Sequence, residues 1–286
     1  MQAALAEKLL SAWPIRAGAF VVTLYGDVAA PRGGRLWMGE IVEACAPLGL
    51  SDSRVRTAVS RLVSSGRIEG EKIGRRSMYR LTRSGEAEFA RATRLIYAPA
   101  DPPPMKGWLL VPLPQGAGRE ALAAKLQRRR FGIPRPHLAL APDRGGPAPD
   151  VAPLFRAECT DDLAELAAAA WPLEELSAAM TRFLEAFAPL EDRLAARPMP
   201  GRDALALRLL LVHAWREIAL ADPVLPLGLL PAGWPGPEAR RLFARLYLAL
   251  TPSAEAEAAR RFTGEDGRPL RPDPAEMDAR LAPLRG

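Results

Sequence analysis

Residues 51 to 81 constrain this chain more tightly than any other stretch. They ask for a short helix with one dry face and one arginine-rich face, followed at once by a basic hairpin. Val55, Ala58, Leu62 and Val63 recur at helical spacing and form the apolar face. Arg54, Thr57 and Arg61 share a different face, flanked by Ser53, Arg56 and Ser60. Ser51 is suited to the N-cap, and Asp52 places an acid in the first turn, where the helix dipole favours it. Arginines and hydroxyls projecting from a helix that follows a tight turn fit the major groove of DNA. An ordinary solvated helix face accounts for the same residues, and the helix alone does not separate the two.

The hairpin does. Ile68 and Ile73 precede its turn, Tyr79 and Leu81 follow it, and Gly74 supplies the turn itself. Lys72, Arg75, Arg76 and Arg80 surround the tip. A helix, then a basic two-stranded wing, then Thr82 opening a further helix to about Ile96 is the order of a winged helix-turn-helix. The expected DNA contacts are Ser53, Arg54, Arg56, Thr57, Ser60 and Arg61 on the helix and Lys72, Arg75 and Arg76 on the wing, whose guanidinium groups suit phosphate or minor-groove binding.

Charge supports this placement. Residues 1 to 94 hold 15 Lys/Arg against 9 Asp/Glu, while the rest of the chain holds 24 of each. The whole net charge of +6 therefore sits on the segment with the helix and wing. The two cysteines, Cys45 and Cys159, are too far apart in sequence to suggest a zinc site or a disulfide framework. The N-terminus has no signal-peptide pattern, and the apolar run around Leu209 is broken by Arg208 and His213, so a cytoplasmic protein without membrane contact is expected.

Further along, the chain reads as α+β and multidomain. A winged-helix domain is expected over 1–97, a proline-rich linker over 98–106, a small ferredoxin-like α+β domain over 107–170 and a helical domain over 171–286. The middle region is read as strand, helix, strand, strand, helix, with its last strand at 154–159 and its last helix at 161–170. Leu176, Met180, Phe183 and Phe187 form one helix face up to Pro189. Further helices are expected over 204–221 and 238–250, and the tail after Thr263 is expected to be loosely ordered. His213, Trp215 and Arg216, with Trp171, are candidates for a ligand pocket; a satisfied structural histidine with a local salt bridge is the competing reading. Arg128, Arg129 and Arg130 suit the phosphates of a CoA or DNA reached from the middle domain, although such a run at a helix end more often complements the helix dipole and faces water. No nucleophile–base set or metal cluster emerges, no cofactor is expected, and a nuclease is disfavoured because the strand at 108–114 carries no acid.

The strings VTLYGD (22–27), PRGGRLWMGEI (31–41), PLGLSDSRVRTAVSRLVSSG (47–66), GRRSMYRLTRSG (74–85) and LVHAWREIALADPVLPLGLLPAGWPG (211–236) resemble the PaaX-like family of bacterial repressors of phenylacetate catabolism. The resemblance implies a homodimer that binds double-stranded operator DNA and is not an enzyme. It also implies an acyl-CoA effector, phenylacetyl-CoA or a relative, that releases the repressor. The chain departs from the family pattern at Arg67, at Trp171-Pro172-Leu173 and at His213-Ala214-Trp215-Arg216-Glu217. A regulator of other genes with a different effector, or none, is the alternative.

Overall fold

Glycines and prolines divide this chain into short elements, and the computed structural model shows how these assemble over residues 3–145, 151, 153–158, 163–197 and 199–285. Cys159 and parts of the expected 144–149 loop, the 154–159 strand and the 161–170 helix lie outside the described residues. The chain divides into two compact units. One comprises residues 1–100, 182–217 and 240–286, and the other residues 101–181 and 218–239. This division differs from the expected serial domains, because the C-terminal helical region contributes to both units.

In the first unit, α1 (Ala3–Ala12) precedes α2 (Ala17–Leu24), which runs on through a π-helical turn at Tyr25–Ala29 and a 3-10 turn at Ala30–Arg32. Then follow β1 (Arg35–Trp37), α3 (Met38–Cys45), a 3-10 turn at Ala46–Leu48, α4 (Asp52–Ser64), β2 (Ile68–Ile73), β3 (Arg76–Leu81) and α5 (Arg83–Ile96). The three strands form an antiparallel sheet in the order β1-β3-β2. Ile68 and Leu81 pair on a buried face while Glu69 and Arg80 pair on the face toward water, and Met78, opposite Glu71, is buried as well. The sequence gives little sign of β1, which has three residues and exists only because β3 offers it a partner.

The second unit contains β4 (Gly107–Pro112), α6 (Arg119–Gln127), β5 (Gly132–Arg135), β6 (Leu138–Asp143), β7 (Phe155–Ala157) and α7 (Ala164–Ala170). Its sheet is antiparallel in the order β5-β6-β4-β7. Leu109, Val111, Leu126, Phe131, Ala139 and Ala141 make the core beneath it. Sequence periodicity misses β5, a four-residue proline-containing strand. Among the described residues α7 follows β7, whereas a ferredoxin-like unit places its second helix before its last strand.

The remaining helices are α8 (Leu173–Phe187), α9 (Leu190–Ala196), α10 (Gly201–Ala221), α11 (Gly236–Arg261) and α12 (Pro274–Arg285). Nine consecutive residues of α10, Ala204 to Val212, are buried, as expected for a central helix apolar on nearly all sides. Two expectations are corrected here. α11 does not stop at Leu250 but continues through Pro252 for more than two turns, with the Thr251 hydroxyl donating to the Tyr247 carbonyl at 2.7 Å. The tail is not loose: it folds into α12, which buries Met277, Arg280 and Leu284. Its composition suggested disorder, but a few buried side chains with specific partners are enough to order it. No described helix is long and apolar enough to cross a membrane.

Candidate nucleic-acid interface

α4 begins after Ser51, whose backbone is extended as an N-cap requires, although its side chain makes no capping bond. Asp52 occupies the first turn and pairs with Arg56 one turn on, at 2.5 Å. The buried stripe is Val55, Ala58, Val59 and Leu62. Val59 replaces the expected Val63, which is 38% exposed, because a stripe at i, i+3, i+4 and i+7 follows the helix more closely than one ending at i+8. Ser53, Arg54, Arg56, Thr57, Ser60 and Arg61 are all exposed. The Thr57 hydroxyl donates to the Ser53 carbonyl at 2.9 Å, and the Ser60 carbonyl accepts from Ser64 at 3.0 Å. Arg56 is compensated by Asp52. Among the described residues Arg54 and Arg61 have no hydrogen-bond or ion-pair partner.

β2 and β3 are joined by a two-residue loop, Gly74-Arg75, with Ile73 opposite Arg76. Gly74 has φ of 59°, a conformation that tight hairpins demand and side chains resist. The four wing cations are not equivalent. The Arg76 guanidinium stacks over the Trp37 ring at 3.9 Å and lies 3.8 Å from the Glu40 carboxylate, so the fold itself engages it. Arg80 pairs with Glu69 at 2.8 Å. Lys72 and Arg75 are exposed and, among the described residues, unpaired. Among the described residues, four cations of the helix and hairpin thus project without internal compensation: Arg54, Arg61, Lys72 and Arg75.

What holds this head is largely invisible to motif reading. Thr82 caps α5 by accepting from the Gly85 N–H at 3.1 Å, and the Tyr25 hydroxyl donates to the Tyr79 carbonyl of β3 at 3.1 Å. Glu40, at the start of α3, accepts from the Trp37 N–H at 3.3 Å and from the Thr263 N–H and hydroxyl at 3.0 and 2.8 Å. Burial raises the Glu40 pKa despite these donors.

Deeper in the same unit Asp27 is buried and accepts from Tyr97 and Tyr247, both at 2.8 Å, and from Arg208 at 2.9 Å. Arg280 lies 3.4 Å from this carboxylate and donates to the Asp27 and Gly26 carbonyls at 2.8 and 3.0 Å. Burial opposes ionisation of Asp27, but Arg208 and Arg280 outweigh it, holding the carboxyl below its ordinary range. Burial and the adjacent Asp27 charge push the Tyr247 hydroxyl up to about 12. Glu255 bridges Arg208, at 2.7 Å, and Arg32. One sequence signal pointed here: an arginine, Arg208, inside the otherwise apolar LALRLLLV run.

Each of the four residues expected to hold an effector has partners within its own unit. Trp171 belongs to the second unit, where its Nε1 donates to the Arg130 carbonyl at 3.1 Å and its ring stacks with Trp108. Trp171 does line a cavity of 670 Å3 with Pro172 and Leu229. In the first unit His213 Nδ1 bonds the Thr23 hydroxyl at 3.0 Å, and burial, with Arg216 adding to it, lowers the imidazole pKa to about 4. Arg216 donates to the Ala19 carbonyl at 3.1 Å. Trp215 faces elsewhere, donating to the Ile96 carbonyl at 2.9 Å and packing between Phe183 and Phe243. Arg130 donates to the Ala219 carbonyl. Among the described residues, no group of His, Cys, Asp and Glu is arranged to hold a metal ion.

Comparison with known proteins fits this geometry. The family model of PaaX-like protein matches residues 16–85, and that of the PaaX-like protein C-terminal domain matches residues 171–260. Transcriptional repressor PaaX of Escherichia coli (strain K12) is 33% identical over 282 residues, spanning 91% of this chain and 87% of that protein. Among solved structures, the uncharacterized protein Rv0674 from Mycobacterium tuberculosis aligns with a TM-score of 0.47 and 22% identity, over 77% of this chain and 90% of that one. The chain belongs to the PaaX-like family, which includes a transcriptional repressor.

Proposed function

We propose that this protein represses transcription by reading operator DNA as a winged helix-turn-helix, with α4 in the major groove and the β2–β3 hairpin on the backbone or minor groove. The observation that carries this reading is the set of exposed cations without partners among the described residues, Arg54 and Arg61 on the helix and Lys72 and Arg75 on the hairpin. Membership in a family that includes a transcriptional repressor supports it. Arg54 and Arg61 lie seven residues apart on one helix face and are the base-reading candidates. Arg75, at the hairpin tip, is the phosphate candidate. A homodimer on inverted half-sites supplies the contacts that a single head lacks. The regulated operon is one for catabolism of an aromatic acid of the phenylacetate type, and an aryl-acyl-CoA such as phenylacetyl-CoA releases the repressor; the resemblance to phenylacetate repressors supports both. Internal bonds at His213, Trp215 and Arg216 favour a framework role over effector contact for these three residues.

Fluorescence anisotropy on a duplex selected from a random pool tests the DNA reading. Arg54→Ala or Arg61→Ala should cost roughly 1–3 kcal/mol and relax preference at one position each. If the doubly substituted protein binds the selected duplex as wild type does, α4 is not the reader.

A further inference from the structure

β1 supports only the root of the hairpin. It pairs with Met78 to Arg80 of β3, and beyond Met78 the hairpin runs on as two strands, with Lys72 opposite Ser77 and Ile73 opposite Arg76. A ribbon of two strands is marginally stable in water by itself. From Glu71 to Ser77 every side chain is exposed or half-buried, so packing contributes little to holding this part. Yet it carries Lys72 and Arg75, two of the four cations assigned to DNA.

One residue ties the far end back to the head. The Arg76 guanidinium lies over the Trp37 ring at 3.9 Å and stands 3.8 Å from Glu40 Oε1. Both partners are fixed in place. Trp37 is buried and pairs with Met78 at the end of β1. Glu40 is buried too, and it is held by the Trp37 N–H and by the N–H and hydroxyl of Thr263, just beyond α11. A planar, delocalised guanidinium meets a ring face and a carboxylate together better than an ammonium does. Arg76 directly follows the Gly74-Arg75 loop, so fixing it fixes the tip.

We propose that Arg76 is a positioning residue for the hairpin: pinned between Trp37 and Glu40, it sets the pose in which Lys72 and Arg75 meet phosphate. It acts through those two cations and makes no DNA contact of its own. A tip ordered before binding spares the complex the loss of freedom that a loose ribbon would undergo on the duplex. This role rests on the reading of the hairpin as a phosphate-binding wing.

Trypsin reads the pose without DNA, because cleavage of a closed ribbon follows its local opening. Arg76→Gln and Trp37→Leu should each hasten cleavage after Lys72 by roughly 5-fold, whereas Trp37→Phe, which keeps a ring face, should stay near wild type. The Arg76 side chain is 55% exposed, so Arg76→Gln should melt near wild type and decides the matter if Trp37→Leu does not fold. Anisotropy of the full chain on a selected duplex should show Arg76→Gln weakening every sequence by roughly 5-fold, with an unchanged logarithmic salt slope. In a Lys72→Ala, Arg75→Ala background the same substitution should weaken binding no further. A further loss in that background, with the slope lower by about one unit, makes Arg76 a phosphate contact and overturns the positioning role. Unaltered cleavage in Arg76→Gln overturns the clamp. Should wild type bind no duplex, the DNA-binding reading falls, and trypsin still decides whether Arg76 holds the hairpin.

Discussion

Replacing Asp27 by asparagine removes one charge from the interior and changes no volume. The carboxylate is 1% exposed and accepts from two tyrosines and Arg208, with Arg280 at 3.4 Å. An asparagine keeps one accepting oxygen and turns an amide N–H2 toward groups that are themselves donors. Arg208 retains Glu255 as a counter-ion at 2.7 Å, but Arg280 loses its counter-ion while keeping its bonds to backbone carbonyls. Breaking one side of a buried pair costs about 3–5 kcal/mol. For a chain of this size that corresponds to a melting-temperature drop on the order of 10 °C. Denaturant titration of Asp27→Asn, Arg280→Met and the double variant isolates the pair: the double should be less destabilised than the sum of the singles by about 1–3 kcal/mol. Asp27 has a depressed pKa, so its contribution is present above the unfolded carboxylate value and lost as pH falls through the folded value. Asp27→Asn should lack that acid limb. A loss below ~1 kcal/mol, or strictly additive singles, would refute the argument that α12 is held through this carboxylate.

His213 is held neutral in the fold, with its pKa lowered to about 4, so the unfolded chain takes up a proton first and stability declines as pH drops from 6.5 towards 4. Between pH 7 and 5 the loss should be about 2 kcal/mol, and His213→Gln should flatten it in a pH series of denaturant melts. Lys72→Ala with Arg75→Ala should weaken binding to every duplex alike and lower the logarithmic salt slope by about two units; an unchanged slope places both side chains in solvent. At Gly85 an added Cβ would stand 2.1 Å from the Arg67 carbonyl, so Gly85→Ala should cost about 1–3 kcal/mol, measurable by thermal melting. Sedimentation should show a dimer at micromolar protein, and a monomer that still binds one half-site tightly would contradict the proposed assembly.

Much of the head was legible because its signals are local. The apolar stripe of α4, Gly74 in the hairpin and Thr82 at the start of α5 each act within a few residues, and the structure keeps all three, exchanging only Val63 for Val59 in the stripe. Sequence reading lost accuracy where a partner lies far away. β1 forms only against β3, and β5 only against β6, so neither short strand announces itself. Arg76 looked like Arg75 in the sequence, and only the Trp37 ring and Glu40 separate their environments. Nor does the sequence show which neighbours these helix residues meet: His213 and Arg216 bond to α2 at Thr23 and Ala19, whereas Trp215 bonds to Ile96.

The sequence by itself determined the family, the helix with its basic hairpin, and the concentration of positive charge in the first 94 residues, because these depend on composition and short-range periodicity. Only the tertiary structure decided that the last helix packs on the π-helical turn after α2. Arg280 reaches Asp27 across 253 positions and Arg208 reaches it across 181, and no pattern of near neighbours encodes either contact. A charge buried in so apolar a setting is tolerated only where its counter-charges arrive together, and their arrival is a property of the assembled fold.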